Sequence, residues 1–355
     1  MLLDVTPTVG RDQRHLTGGA RAAMAWGCDY ARVEISAVRD ARVFSAAERD
    51  YSWADVIVAA RGWGEWQALE QRTRGLIARE RRALAADEAP SRAEVTAAAN
   101  AFRQQRRLLA SDEIRQWLAR WGITVQEWMG HIRRSLIAES TSAEARGEAD
   151  PEVEGDLGAA VWVDAVCSGS LAAFATRLAE RVAVHVRLAD GGDSSPTIEE
   201  LVARGDEIRT FCDRQVTDAA LAEEVSTNLI GWMRIDCRYL VNGEVPVLRE
   251  AALCVSEDGG GIADVATQAG LRLHTGRFYL DDVEPALRAR LLAASPGELV
   301  GPVAMGGGEH WLLFVDDRVP ASVGDGVLRE RARERIIERA ISAEVSRSVR
   351  WHERL

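Results

Sequence analysis

The residues able to act as nucleophiles, bases or metal ligands are few in this chain of 355 residues. It contains six His and five Cys, and its 44 permanently cationic side chains are all Arg, because no Lys occurs. That composition excludes a Schiff-base lysine, a P-loop lysine and a Ser-Lys dyad. The cysteines show no C-x-x-C or H-x-x-x-H spacing, so the sequence predicts reduced thiols, no metal site and no cofactor. They are Cys28, Cys167, Cys212, Cys237 and Cys254.

The charge balance argues against nucleic acid as a general partner but not against an acidic peptide. The formal net charge is −11, which is unlike that of a general nucleic-acid binder. The chain has eleven Trp, against six Phe and four Tyr, and Trp is common on peptide-binding surfaces. Arg pairs with carboxylates through a planar fork and also stacks on indoles. We therefore predict no nucleic-acid partner, but a local surface of Arg and Trp that could hold an acidic peptide.

The N-terminus shows no basic region followed by an apolar core. No uncharged apolar run approaches the ~18 residues that a membrane span needs. These features predict a cytoplasmic protein with no membrane partner.

Three consecutive short helices are marked by their end signals. Ser91 and Glu94 form a capping box, as do Thr124 and Glu127, and Ser111 is expected to cap the helix between them. Gly122 is placed to end that middle helix in the left-handed conformation. Their apolar faces predict a helical module over residues 89–140.

The remaining chain divides by composition and periodicity. The alternation of Val182–Leu188 predicts a strand, and the last thirty residues read as one amphipathic helix. We predict a mixed α/β region at 1–88, a polar linker at 141–155, a mainly helical connector at 156–213, a β-α domain at 214–320 and a C-terminal helix at 321–355 that packs on the helical module.

One stretch resembles a known family. A helix ends in Pro296-Gly297-Glu298, Gly301-Pro302 follows, and a strand then opens at His310. This order resembles the second half of a parvulin-type peptidyl-prolyl isomerase domain, and with its lead-in helix and first strand the resemblance covers 214–320. The helices at both ends resemble the chaperone module of SurA-type proteins. The implied fold is α+β: a SurA-like helical chaperone module, including the C-terminal helix, plus a degenerate parvulin-like β-α domain.

The resemblance also implies a changed pocket. Parvulins line their pocket for the prolyl bond with two His and a Cys or Asp. The second of these His residues maps to His310. The first His maps to Cys237 when the strand is aligned from Arg234, and to Arg238 when it is aligned from Leu240. The sequence leaves both positions open. The loop that normally carries the Cys or Asp is shortened to 269–271. The resemblance therefore implies weak or no isomerase activity.

A second resemblance points to a partner. The segments 250–259, 283–288 and 349–353 are similar to PpiC-related proteins described as peptide-maturation factors of ribosomal peptide (RiPP) clusters. This similarity implies a cytoplasmic protein that binds a precursor or client peptide, with peptide-modifying enzymes as further partners.

Three hypotheses follow. The first is peptide binding in a groove between the helical module and the sheet, against the alternative that the indoles only pack the core. The second is an active isomerase using His310 and Cys237. The alternative is that His310 opens a buried strand with a hydrogen bond to the backbone and that Cys237 is a small core residue. The third is a peptide-modifying enzyme using that Cys-His pair, or a site near Trp351 and His352. The candidate peptide-binding residues are Trp117, Trp121, Trp128, Arg238, Phe278 and Trp311.

Overall fold

A computed structural model describes residues 37–140, 154–189, 196–257 and 259–352. The chain forms two compact units. The first runs to Leu178 and includes the chain again from Trp351, and the second spans Ala179–Arg350. Helices combine with two small antiparallel sheets, so the expected α+β class is confirmed.

The first unit combines a small sheet with a set of helices. The sheet has the strand order β2-β1-β7. The elements of the first unit are β1 (Arg42–Ala46), β2 (Arg49–Ser52), α1 (Trp53–Gly62), α2 (Glu65–Ala85), α3 (Arg92–Gln105), α4 (Ser111–Arg120), α5 (Val125–Ser140), α6 (Glu154–Cys167), the first part of α7 (Ser170–Leu188) and, from the end of the chain, β7 (Arg350–Trp351).

The end signals of the helical module are confirmed with one exception. In both capping boxes the glutamate accepts a hydrogen bond from the backbone amide of the cap residue, at 2.7 Å for Ser91 and 2.8 Å for Thr124. Gly122 has the expected positive φ of 61°. Ser111 is the first residue of α4 rather than its cap, because Ala110 holds the extended cap conformation and Glu113 accepts from its amide.

Helices α2, α5 and α6 meet around a buried carboxylate. Asp164 of α6 is 3% exposed. It accepts hydrogen bonds from Thr73 of α2 and Arg134 of α5, each at 2.8 Å, and His131 Nδ1 lies 2.8 Å from the same carboxylate. Burial alone would raise the pKa of Asp164, but the bonds and charges of His131 and Arg134 outweigh it and lower that pKa. The charge of Asp164 therefore ties three helices together.

The cluster of Asp164 predicts both a stability loss and a pH dependence. Asp164→Ala leaves Arg134 buried without this partner and should lower the free energy of unfolding of the first unit by about 3–5 kcal/mol. Because the folded pKa lies below the unfolded value, the stabilisation by Asp164 is present above pH ~4 and fades as the pH falls through the folded pKa. Urea denaturation at several pH values measures both effects. The control Asp112→Ala, whose pair with Arg115 is mostly exposed, should cost less than ~1 kcal/mol.

The end of the chain returns to the first unit as a strand. The helix expected over 321–355 ends at Ser348, and β7 follows it. The indole of Trp351 lies 5.3 Å from the ring of Phe44, and the amide of His352 donates to the carbonyl of Val43 at 2.9 Å. The prediction of one continuous terminal helix is therefore wrong, because the last residues pair with β1 instead.

The second unit is built around a four-stranded sheet. Its elements are the rest of α7, then α8 (Ile198–Ala203), α9 (Gly205–Gln215), α10 (Asp218–Thr227), β3 (Arg234–Asn242), α11 (Val245–Ser256), α12 (Ile262–Gln268), β4 (Leu273–Tyr279), α13 (Pro285–Ala293), β5 (Leu299–Ala304), β6 (His310–Val319) and α14 (Gly326–Ser348). The order from β3 to β6 is the one that the parvulin resemblance implies.

The sheet has the strand order β4-β3-β6-β5, and all neighbouring pairs are antiparallel. Alternate side chains point to opposite faces. On one face Leu240 and Leu312 pack against α11 and α12. On the other, Ile235 and Leu313 pack against α13. The central strand β3 is thus covered on both faces and bonded on both edges.

Helix α14 packs within the second unit. It contacts α9 and α10, and Glu224 of α10, 4% exposed, accepts from Arg339 of α14. The guanidinium of Arg335 lies 4.9 Å from the indole of Trp232. Leu328, Ala332 and Ile336 of α14 find apolar partners on α10. The predicted packing of this helix on residues 89–140, which belong to the first unit, stays a prediction.

The sequence predicts a strand at residues 182–188 and a linker at residues 141–155. Residues 182–188 continue α7 and are not a strand, because nothing in the preceding sequence interrupts the helix and its buried side extends to His185. The expected linker at 141–155 lies almost wholly outside the described residues.

Among the described helices, none is by itself long and apolar enough to cross a membrane. The helices 157–167 and 170–188 meet the length and composition criteria only as a pair, with a 72° bend between them.

Candidate functional site

Four aromatic side chains share one face of the sheet in the second unit. Tyr239 of β3 lies directly opposite His274 of β4, while Phe278 of β4 and Trp311 of β6 flank them. All four are half-buried. We call this group of four residues the aromatic face.

The rings of the aromatic face form a stack across three strands. The ring of Tyr239 lies 4.7 Å from the indole of Trp311 and 5.1 Å from the imidazole of His274, at interplanar angles of 16° and 19°. Phe278 tilts against Tyr239 and Trp311 at centroid distances of 5.9 and 6.1 Å. Stacked rings of this kind offer a flat, polarisable surface to apolar groups.

Two glycines make room for this arrangement. A Cβ on Gly276 would lie 2.6 Å from the ring of Phe278 and 3.1 Å from that of Tyr239. A Cβ on Gly301 would lie 2.5 Å from the carbonyl oxygen of Trp311, and the φ of Gly301 is +124°. The Gly-Pro signal in the sequence thus marks a close approach of β5 to the strand that carries Trp311.

The two proposed catalytic residues are not brought together. Cys237 pairs with Val315, whereas His310 pairs with Asn242, five positions further along β3. Five residues correspond to roughly 16 Å along a strand, and an odd number of steps places the two side chains on opposite faces. The prediction of a Cys237-His310 pair is therefore wrong.

Neither residue alone is poised for chemistry. Cys237 is 1% exposed, and burial, followed by the charges of Asp316 and Asp236, raises the pKa of its thiol to about 12. The Nδ1 atom of His310 is buried without a hydrogen-bond partner among the described residues. Cys237 therefore matches the packing alternative considered from the sequence, whereas the Nδ1 atom of His310 does not make the hydrogen bond that its alternative expected.

Arg238 is held by an ion pair. Its Nε and Nη2 atoms donate to Asp316 at 3.0 and 2.6 Å, and its guanidinium lies 5.0 Å from the ring of Phe314. Strand alternation places it on the face opposite Tyr239. It therefore lies away from the aromatic face, and its role in peptide binding stays a prediction.

The other predicted aromatic residues belong to the first unit. Trp117 of α4 and Trp121, the residue that follows this helix, line an open cleft of about 410 Å³, together with Trp53, Arg106 and Arg120. We call it the indole cleft. Trp128 is 6% exposed and packs on Phe102 at 5.7 Å, so its prediction as a binding residue is wrong and the core-packing alternative holds.

Near the end of the chain, His352 contacts a polar side chain of the first unit. His352 Nε2 contacts the hydroxyl of Ser45, which donates to Asp50 at 2.7 Å. Within the described residues, no group of three or more His, Cys, Asp and Glu side chains is arranged to hold a metal ion.

Comparisons with known proteins add little detail. No protein-family model matches the chain, and no curated protein is similar to it in sequence. Two solved structures overlap with it at 9% identity: the foldase protein PrsA from Streptococcus pneumoniae (86% of this chain, 90% of that one, TM-score 0.26) and PrsA from Lactococcus lactis (88% and 95%, TM-score 0.25). An overlap this loose leaves the chain's own residues as the basis for statements about function.

Sequence reasoning missed the centre of the aromatic face. Tyr239 follows Cys237 by two residues, so strand alternation alone could have placed it on the same face as that predicted pocket residue. His274 could not have been found in this way, because its position opposite Tyr239 depends on the pairing of β3 with β4. The Arg residues of the indole cleft were anticipated only as a general cationic surface.

The buried thiol of Cys237 predicts slow alkylation. With a pKa of about 12, roughly one thiol in ten thousand is ionised at pH 8, and the surrounding side chains exclude the reagent. Iodoacetamide should therefore modify the half-exposed Cys254 well before Cys237, as followed by peptide mass mapping. Rapid modification of Cys237 in the folded protein would contradict the assignment of this thiol to the core.

Gly276 lies beneath the aromatic face, so the addition of a single methyl group at this residue should disturb the packing of the rings and lower the stability. Gly276→Ala should displace the ring of Phe278, change the near-UV circular dichroism and lower the free energy of unfolding by about 1–3 kcal/mol. Gly306→Ala is the matched control, because a Cβ there has no neighbour within 4 Å. Equal spectra and stabilities for the two variants would show that the rings are not packed as described.

Proposed function

We propose that this chain is a parvulin-related, peptide-binding protein of the cytoplasm that assists the maturation of a ribosomally made precursor peptide, with weak or no isomerase activity. The observation that carries the proposal is the stack of half-buried rings on the aromatic face. The order of strands and helices around it supports the relation to parvulins.

The aromatic face suits the binding of apolar and prolyl side chains. Its central ring, Tyr239, is held between Trp311 and His274, so it loses little conformational freedom on binding a ligand. The half-buried Met305 packs beside the same cluster and adds an adaptable apolar contact. Rigid aromatic anchors of this kind supply most of the energy in many peptide interfaces.

The same face is poorly equipped for isomerisation. The barrier to rotation about a peptide bond is about 18–20 kcal/mol, and lowering it requires a site that holds the bond in a twisted state. Cys237 lies buried beneath the rings, and His310 points to the opposite side of the sheet. The one imidazole on the aromatic face among the described residues is that of His274, which is stacked on Tyr239.

The precursor peptide as client rests on the sequence resemblance. The segments similar to the PpiC-related maturation factors include 250–259 and 283–288, which overlap the helices α11 and α13 that cover the two faces of the sheet. In the proposed role, peptide-modifying enzymes act on the peptide while this protein holds it.

The test is the binding of a labelled precursor peptide and of a permanently unfolded model protein, measured by fluorescence anisotropy. Tyr239→Ala should weaken both interactions by about tenfold or more, because it removes the central ring of the stack. His274→Ala, which removes an outer ring, should weaken them less. Leu292→Ala, a change at a partly exposed apolar residue of α13, is the matched control and should leave the affinities within about twofold.

Each outcome has a distinct meaning. Binding that survives Tyr239→Ala unchanged would refute the role of the aromatic face. Binding of the unfolded protein without any preference for the precursor peptide would support a general client-binding role and refute the specific one. Accelerated isomerisation of Xaa-Pro peptides that is lost in His274→Ala would replace the proposal with an isomerase that uses this imidazole.

A further inference from the structure

One outer strand of the sheet in the second unit is suited to pair with a further strand. In the strand order β4-β3-β6-β5, the outer strands are β4 and β5. The pairing of β5 with β6 is irregular between Val300 and Val303, and Pro302 within this interval has no amide hydrogen to donate. Strand β4 instead pairs with β3 without interruption from Leu273 to Tyr279. A proline and an irregular register protect an edge from added strands, and β4 has neither.

The pairing also shows which backbone groups of β4 face outward. Just beyond the two strands, the amide of Leu280 donates to the carbonyl of Met233 at 3.1 Å. Bonded pairs of this kind recur at every second position of an antiparallel ladder, so the even-numbered residues from His274 to Phe278 are bonded to β3. The amides and carbonyls of the odd-numbered residues point away from β3. Among the described residues, no other strand pairs with them.

The outer edge of β4 is accessible along most of the strand. Thr275 and Arg277 are exposed. Tyr279, near the end of the strand, is half-buried instead, and its hydroxyl donates to Asp325 at 2.9 Å. The available edge therefore runs from Leu273 to Arg277, where three outward residues present three amides and three carbonyls.

Two cations flank this edge. Arg272 and Arg277 are exposed, and neither forms an ion pair with another described residue. The carboxylate opposite Arg277 is that of Asp236, and it is held by Arg234 through hydrogen bonds of 2.9 and 3.1 Å. The two charges repel a cationic strand or a second copy of the same edge, and they favour a strand that carries carboxylates.

The two faces of the sheet differ beside this edge. His274 and Phe278 of β4 belong to the aromatic face, so a strand added here extends that face. The side chains of Thr275 and Arg277 point to the opposite face. An added strand therefore has alternate side chains beside aromatic rings and beside an arginine, and this pattern fits a segment of alternating apolar and acidic residues.

We propose that β4 binds an extended segment of the client polypeptide as an antiparallel fifth strand of the sheet, through the backbone groups between Leu273 and Arg277. Apolar side chains of the segment lie beside His274 and Phe278, and its acidic side chains lie beside Arg277 on the opposite face. The antiparallel direction is that of every other pair in this sheet and is the slightly more stable one. The inference rests on the proposed function in taking the ligand to be a peptide that the aromatic face also contacts.

The test uses the full-length protein and short fluorescein-labelled peptides of alternating Leu and Glu, with anisotropy as the readout. Bonded residues of an antiparallel pair share a face, so the amides that face β4 are those of the Glu residues. N-methylation of two Glu amides should weaken binding by about tenfold or more. N-methylation of two Leu amides, at the same composition and charge, is the matched control and should leave the affinity within about threefold. Replacement of Glu by Gln should weaken binding by about threefold or more.

The corresponding change in the protein is Thr275→Pro. Proline removes the outward amide of this residue but no bond to β3, and outer strands tolerate it in that position. The variant should bind the Leu-Glu peptide about tenfold more weakly or worse, with an unchanged near-UV circular dichroism spectrum. Thr275→Val keeps the amide and should retain most of the affinity.

Hydrogen exchange measures the same contact without any variant. Addition of the Leu-Glu peptide should slow exchange of the amides of Thr275 and Arg277 by about tenfold or more, whereas the amide of Gly276, which is bonded to β3, should be protected with and without the peptide. Unchanged exchange at Thr275 and Arg277 overturns the inference. Protection of both amides in the free protein, together with a dimer in sedimentation, overturns it in favour of a second copy on this edge.

Further outcomes separate this inference from the proposed function. Equal losses of affinity for the two N-methylated peptides overturn the pairing with β4. Loss of binding in Tyr239→Ala, with no effect of Thr275→Pro, overturns the pairing while the aromatic face stands. Loss of binding in Thr275→Pro, with no effect of Tyr239→Ala, supports the pairing and refutes the role of the aromatic face.

Discussion

Strand β3 is bonded on both edges, to β4 and to β6, and its register with each of them decides which side chains meet on a face of the sheet. That register places Tyr239 between His274 and Trp311, and their rings stack. The same register puts Cys237 and His310 at different points along the strands and on opposite faces. A shift of one residue would turn Tyr239 away from His274 and Trp311. The stacked rings and the separation of Cys237 from His310 are therefore two consequences of one pairing.

The rings of the aromatic face can interact with other groups by physical contact. Rings that stack on each other and half face the solvent can hold prolyl and aliphatic groups by burial of apolar surface, at about 25 cal/mol per Å². The predicted Cys237-His310 pair is not present on this face. The buried thiol of Cys237, with its pKa raised by burial to about 12, contributes to packing beneath the rings. We read the sheet as a binding platform built on a parvulin-like order of strands.

Arginine carries all the permanent positive charge, and it does two different jobs in the first unit. Arg134 is buried and bonded to Asp164, where the pair and its hydrogen bonds hold three helices together. Arg106 and Arg120 instead lie over aromatic rings at the edge of an open cleft. In the first unit, arginine therefore occurs both in a buried ion pair and stacked on aromatic rings.

Local signals predicted local structure well. The capping boxes at Ser91 and Thr124 were readable because their partners lie three residues away. Features that depend on distant pairing were not readable: Trp351 joins a strand more than three hundred residues earlier in the chain, and the two positions considered for the first pocket residue could not be distinguished without the register of β3. The central claim, that the aromatic face binds but does not catalyse, is tested most directly by NMR exchange spectroscopy on an Xaa-Pro peptide. The account predicts shifted peptide signals in the presence of the protein, with cis-trans exchange at the uncatalysed rate. Accelerated exchange, or no shift at all, would contradict it.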